Sequence, residues 1–345
     1  MTRPGLFRIA GWRLLPLVAL LLALQLGACA PRLQPPGDAA LPPALDTAAG
    51  DWRADDGRVL PLRSWLPDGK PKAVILALHG FNDYGMAFAD PGAWWAQRGI
   101  ATFAPDQRGF GAGPYHGYWP GGQRMADDVG DLTRLLRKRY PGVPLYWLGE
   151  SMGGAVALAA WQDETDHPDG LVLSAPAVWG RASMPLLYRA SLWLASYTIP
   201  WKTFTGQGLD IQASDNIPML IRLGRDPLVI KATRVDTIHG LVNLMDMAST
   251  VRPQGVPLLL LYGAKDEVIP RPPVERFAEA LQAARPSGLQ IAVYGNGWHM
   301  LLRDLEGKTV WRDIAAWIAD PALAALPSGA GRKALPLFAG AVPAR

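Results

Sequence analysis

The chain has 345 residues, 49% of them hydrophobic and 19% charged, a balance that excludes an intrinsically disordered polypeptide and allows a sizeable buried core. Its formal charge of +4 comes from 34 Lys and Arg against 30 Asp and Glu, but three of those cations, Arg3, Arg8 and Arg13, fall in the first 28 residues, which leaves 31 basic against 30 acidic. No run of Lys and Arg interleaved with aromatics remains to track a phosphate backbone, so the composition argues against nucleic acid as a partner.

Residues 1–28 carry those three Arg, an apolar stretch over 14–26 broken only by Pro16 and Gln25, and then small residues, the layout of a secretory signal. The apolar stretch, about 13 residues, is short of the roughly 20 that a membrane-spanning helix needs. It runs into Leu26-Gly27-Ala28-Cys29, which resembles the lipobox of bacterial lipoproteins, and Cys29 is the single cysteine of the chain. The resemblance implies cleavage before Cys29, acylation of its thiol and anchoring to a membrane of the bacterial cell envelope. Ala30, standing where Asp would retain such a protein at the inner membrane, implies the periplasmic face of the outer membrane. The alternative is an ordinary signal peptide cleaved nearby, or an uncleaved anchor in which Cys29 is incidental. A lone cysteine leaves no intramolecular disulfide.

Residues 29–50, from the lipidated Cys onward, are rich in Pro and Ala and read as a flexible tether. From residue 51 short apolar runs alternate with helical periodicity, which predicts an α/β fold with a mostly parallel central sheet flanked by helices. Strands are expected at 73–78, 100–104, 145–148, 170–173, 257–262 and 289–294, and an antiparallel edge hairpin from 51–54 and 59–65. Helices are expected near 87–98, 125–140, 152–162, 273–284 and 309–319. The rhythm breaks over 176–252, read as a helical cap inserted between two segments of the core, 51–175 and 253–320. The tail, 321–345, is mainly Ala, Pro, Gly and Leu and is expected to be loosely ordered.

Gly149-Glu150-Ser151-Met152-Gly153 fits G-x-S-x-G and falls between an expected strand and an Ala-rich expected helix. This is the setting of the nucleophile elbow of the α/β-hydrolase fold, where a strained turn lifts a serine hydroxyl toward substrate and the helix N-terminus favours developing negative charge. In this fold the acid and the histidine follow the nucleophile in the order Ser, Asp, His. His79 and His116 precede Ser151, His167 lies in an acidic turn and His239 in the insertion, which leaves His299, after the last expected strand, as general base. Asp266, at the end of Leu258-Leu259-Leu260-Leu261-Tyr262-Gly263-Ala264-Lys265-Asp266, is the expected orienting acid. The oxyanion hole is expected from the N–H of Met152, directly after the nucleophile, and that of Phe81 in the loop His79-Gly80-Phe81-Asn82-Asp83.

With these residues in place the chain resembles the monoacylglycerol lipase and lysophospholipase branch of the α/β-hydrolases, which also holds serine aminopeptidases. The resemblance spans roughly 51–320 and rests on His79-Gly80, Pro105-Asp106-Gln107-Arg108-Gly109-Phe110-Gly111, Gly149-Glu150-Ser151-Met152-Gly153-Gly154, Gly263-Ala264-Lys265-Asp266 and Trp298-His299-Met300-Leu301. It implies that Asp106 and Arg108 are scaffold residues. Many relatives carry His where this chain has Glu150, which leaves three roles open for that carboxylate: raising the pKa of His299, contacting a substrate hydroxyl, or hydrogen bonding at the helix terminus.

Over the insertion, Met184, Leu186, Leu187, Trp193, Leu194, Tyr197, Ile199 and Trp201 are apolar all round a helix, and such a helix is expected to be covered. Trp193 and Leu194 are expected either to pack on the core or to line an acyl tunnel. The activity these features imply is hydrolysis of a carboxylic ester of a long-chain acyl lipid, such as a monoacylglycerol or lysophospholipid, through an acyl-enzyme and with neither metal nor organic cofactor. A short-chain esterase, a serine aminopeptidase and a non-catalytic envelope-binding lipoprotein are the alternatives.

Overall fold

The computed structural model describes residues 30–163, 166–284 and 288–332. The expected signal segment, Cys29 and residues 333–345 of the tail lie outside these residues.

A ten-stranded sheet forms the centre, built from β1 (Ala44–Asp46), β2 (Asp51–Arg53), β3 (Val59–Trp65), β4 (Ala73–Leu78), β5 (Ile100–Pro105), β6 (Leu145–Glu150), β7 (Gly170–Ser174), β10 (Leu258–Gly263), β11 (Leu289–Tyr294) and β12 (Gly331–Arg332). Its order is β1-β2-β3-β5-β4-β6-β7-β10-β11-β12. The six strands from β5 to β11 run parallel, while β1, β2, β3 and β12 join antiparallel at the edges. Strands buried on both faces read as continuous apolar runs, which is why Ala73–Leu78 and Leu258–Gly263 were legible. Alternation decides which layer each residue joins. Val74, Leu76 and Leu78 face one core with the helices Gly122–Arg139, Met152–Asp163 and Arg271–Ala284, while Ala73, Ile75 and Ala77 face another with Ala89–Ala96 and Gly307–Ala319.

The insertion is less uniform than a helical cap. Helices Leu186–Thr198, Ile217–Arg225 and Val235–Thr250 are joined by a small antiparallel sheet of β8 (Thr203–Thr205) and β9 (Ala232–Arg234). The last helix belongs energetically to the core, since Val242, Leu244, Met245 and Ala248 are buried in the same cluster as the elbow helix. The helix Leu186–Thr198 does the opposite of what its composition suggested. Only Ser196 is buried along it, whereas Leu187 is 72% and Trp193 62% exposed.

Two segments expected to be loose are held. Within 30–50, Gln34 is buried and donates from its backbone N–H to Trp119 O (2.9 Å) and from Nε2 to Tyr118 O (2.6 Å), and Ala44–Asp46 forms the edge strand β1. The described part of the tail returns to the sheet, with Leu326 buried and β12 paired to β11. Composition alone missed both because a few specific hydrogen bonds, not an apolar pattern, fix these backbones.

Candidate active site

β6 delivers the elbow. Ser151 sits at φ 54°, a left-handed conformation that costs a non-glycine residue strain and is held by its surroundings, here by the bond from its N–H to Ser174 O (2.9 Å). The turn is tight enough that a Cβ on Gly153 would stand 1.9 Å from Leu78 O, and one on Gly149 2.5 Å from the Gly153 backbone. The two glycines of the pentapeptide are therefore steric necessities, and Met152–Asp163 starts at once, leaving the Met152 N–H among the unpaired donors of a helix N-terminus.

The other two residues arrive on the loops after β10 and β11. His299 Nδ1 and Asp266 Oδ2 lie 2.8 Å apart. Asp266 Oδ1 accepts from the N–H groups of Val268 (2.8 Å) and Ile269 (2.9 Å), so the carboxylate is fully engaged and its orientation set. Burial by itself would lower the His299 pKa, but the charge and hydrogen bond of Asp266, with Glu150 adding to them and Arg303 opposing, raise it above the ordinary imidazole value. Ser151 and His299 line one cavity of about 400 Å³ together with Gly80, Phe81, Glu150, Leu209, Ile211, Val268 and Met300. Gly80 packs against Ser151, a Cβ there standing 3.4 Å from Ser151 Cβ, and Phe81 after it lines the same cavity. A hydroxyl and an imidazole oriented by a carboxylate, both lining one partly enclosed cavity, are the groups that nucleophilic acyl transfer requires.

The remaining histidines are otherwise employed. His79 is buried and accepts the Gln107 N–H at Nε2 (3.0 Å), so its proton is on Nδ1, which donates to Gly80 O (2.8 Å) and makes the ring a brace of the loop that carries Phe81. His167 stacks on Trp161 with ring centroids 4.0 Å apart, and His239 sits against Tyr197. Asp106 and Arg108 are scaffold: Asp106 accepts from Arg63, Gly85 N and Ala112 N, and Arg108 forks onto both Asp56 and Asp128.

Two assignments change. Trp193 and Leu194 are 62% and 57% exposed and are not among the residues lining the cavity, so neither core packing nor an acyl tunnel describes them. The apolar wall comes instead from the cap segment carrying Leu209 and Ile211 and from Val268 and Met300; the cap segment is tied over the site by Met300 N to Ala213 O (3.0 Å) and Gln212 N to Glu267 Oε2 (2.8 Å). Glu150 lines the cavity but its carboxylate is drawn into an ion-pair cluster that sequence reasoning missed: Arg303 Nη1 reaches Asp83 Oδ2 (2.7 Å) and Nη2 reaches Glu150 Oε2 (3.3 Å), all three being largely buried. The cluster links the loop after β4, the elbow and the loop that carries His299. Its only signal in sequence is position, with Asp83 two residues after Phe81 and Arg303 four after His299.

Of the roles open to Glu150, electrostatic coupling to His299, which lines the same cavity, fits the raised His299 pKa, to which the Glu150 charge adds. Removing its charge by Glu150→Gln while Arg303 stays should lower the His299 pKa, so the acid limb of kcat/KM, which reports deprotonation of the base, is expected to move to lower pH with the plateau retained. An unmoved limb in a folded variant would exclude the coupling.

The sheet order, the elbow after β6 and the Asp and His on later loops define an α/β-hydrolase. The model of the family described as Serine aminopeptidase, S33 matches residues 69–306, and the chain belongs to that family. It is similar to monoglyceride lipase of Homo sapiens, 25% identical over 76% of this chain and 88% of that protein, and to monoacylglycerol lipase of Mycolicibacterium smegmatis, 26% identical over 74% and 90%. The crystal structure of Paleococcus ferrophilus monoacylglycerol lipase superposes with a TM-score of 0.64, covering 76% of this chain and 99% of that one at 21% identity.

Proposed function

We propose that this hydrolase is a serine esterase that cleaves long-chain acyl esters, such as monoacylglycerols or lysophospholipids, through an acyl-enzyme on Ser151. In this reading His299 takes the hydroxyl proton and returns it to the leaving alcohol, Asp266 stabilises the imidazolium, and the Phe81 and Met152 N–H groups hold the oxyanion. The observation that carries the acyl-lipid substrate is the wall of the cavity: Phe81, Leu209, Ile211, Val268 and Met300 offer an apolar side beside the nucleophile. Similarity to monoglyceride lipases points the same way. An aminopeptidase would need free carboxylates for an amino terminus; Asp83 and Glu150 do face the cavity, but Arg303 already bridges them.

We further propose that acylated Cys29 anchors the enzyme in the bacterial cell envelope, at the periplasmic face of the outer membrane. The lipobox-like Leu26-Gly27-Ala28-Cys29 supports this.

Each methylene transferred from water to the apolar wall is worth about 0.8 kcal/mol, or roughly fourfold in kcat/KM. Across a series of monoacyl esters kcat/KM is therefore expected to climb with acyl length until the wall is filled. A flat profile would favour the short-chain esterase, and faster cleavage of aminoacyl arylamides at matched concentration the peptidase.

A further inference from the structure

At the end of the sheet away from Ser151 lies a second cavity, of about 480 Å³. Buried Ala73, Ile100, Tyr146 and Ile318 form its floor, and exposed Lys72 and Arg98 stand at its rim. Ala73 and Ile100 begin β4 and β5, and Tyr146 is the second residue of β6. Ser151 follows the last residue of β6, so it stands five residues beyond Tyr146, about 17 Å along an extended strand. The two cavities share no lining residue.

Both cations are held by packing. Lys72 donates its N–H to Gly99 O (2.7 Å), and its side chain runs against the same glycine, where a Cβ would stand 3.1 Å from Lys72 Cδ. Arg98, adjacent to that glycine, sets its guanidinium 3.4 Å from the centre of the Trp94 ring and donates from Nη1 to Trp94 O (2.9 Å). No carboxylate lines the cavity, and among the described residues neither cation is ion-paired. Asp320, between the lining residues Ala319 and Pro321, turns an oxygen to the Ala322 N–H (3.0 Å).

A lone solvated cation on a protein surface needs no explanation. Here two like charges on adjoining backbone segments, each with its stem packed, flank an apolar recess of the size that small-molecule sites have. Their repulsion is relieved by an anion placed between them, and the recess beside them accepts an alkyl chain. Arg98 has five N–H donors, of which Trp94 O takes one, and Lys72 has three on its ammonium.

We propose that this cavity binds a long-chain carboxylate, its head on Lys72 and Arg98 and its alkyl chain over Ile100, Tyr146 and Ile318. The choice of a carboxylate over another anionic head rests on the reading of Ser151 as an esterase of acyl lipids, since that reaction releases such an acid. An acid held here leaves the Ser151 cavity open to the next substrate.

The test uses the full-length chain and dodecanoic acid carrying a photoreactive diazirine near the far end of its alkyl chain, with labelled peptides mapped by mass spectrometry. Label is expected within residues 315–321 and is displaced by plain dodecanoate. Lys72→Gln combined with Arg98→Gln should weaken that labelling by roughly fivefold or more at a subsaturating concentration, as expected for the loss of two exposed charge pairs. Thermal unfolding and any label around Leu209 and Met300 should stay as in wild type. Undiminished labelling in the folded double variant, or label confined to the Ser151 cavity, would overturn the second site while leaving the esterase reading intact. Displacement by dodecyl phosphate at far lower concentration than by dodecanoate would overturn the carboxylate in favour of a phosphate monoester. Label at 315–321 in wild-type protein that cleaves no monoacyl ester would instead sink the esterase reading and leave the site standing.

Discussion

Ser151→Ala is expected to lower kcat by about 10⁴ to 10⁶-fold and to abolish covalent labelling by a fluorophosphonate, while thermal unfolding stays within a few degrees of wild type. The argument is local. Alanine keeps the Cβ and can occupy the same φ of 54°, the bond from residue 151 N–H to Ser174 O needs no side chain, and the glycines that admit the turn are unchanged. Only the attacking oxygen is lost, so residual catalysis would come from the backbone donors alone. Persistent labelling of the folded variant would move the nucleophile elsewhere.

Asp266→Asn should cost about 10³ to 10⁴-fold in kcat/KM, because the amide cannot meet both demands placed on the carboxylate. Oδ1 accepts from Val268 and Ile269, and Oδ2 faces His299 Nδ1. An asparagine has a single acceptor oxygen. If that oxygen stays with the two backbone donors, the NH₂ group faces His299 Nδ1, which must then accept, and the imidazole proton moves to Nε2, the atom that has to receive the serine proton. If it turns to His299 instead, two buried N–H groups lose their partner. The measurement is steady-state kinetics with circular dichroism as a control for folding; near-normal turnover would point to a different acid.

The residues proposed as catalytic could be picked out along the chain because each answers a local rule. A nucleophile elbow needs small residues at fixed offsets, and Gly149 and Gly153 stand where any Cβ would collide with backbone. Asp266 and His299 follow strands whose burial on both faces writes an unbroken apolar run, so their places after β10 and β11 were countable. The central sheet and its two helical layers were legible for the same reason of period.

What the chain by itself determined, then, is the α/β architecture, the family and the positions of Ser151, Asp266 and His299 along it, all of them consequences of short-range pattern. Only the tertiary structure decided which residues close the site. Arg303 meets Asp83 and Glu150 across 220 and 153 positions of sequence, a pairing that no periodicity records. It also decided that Trp193 and Leu194 turn outward and that Arg32 and Gln34 lie fastened beside the cap. Hydropathy states that an apolar side chain gains by leaving water, but whether the cover is the protein's own core or another surface depends on how separate elements meet in space.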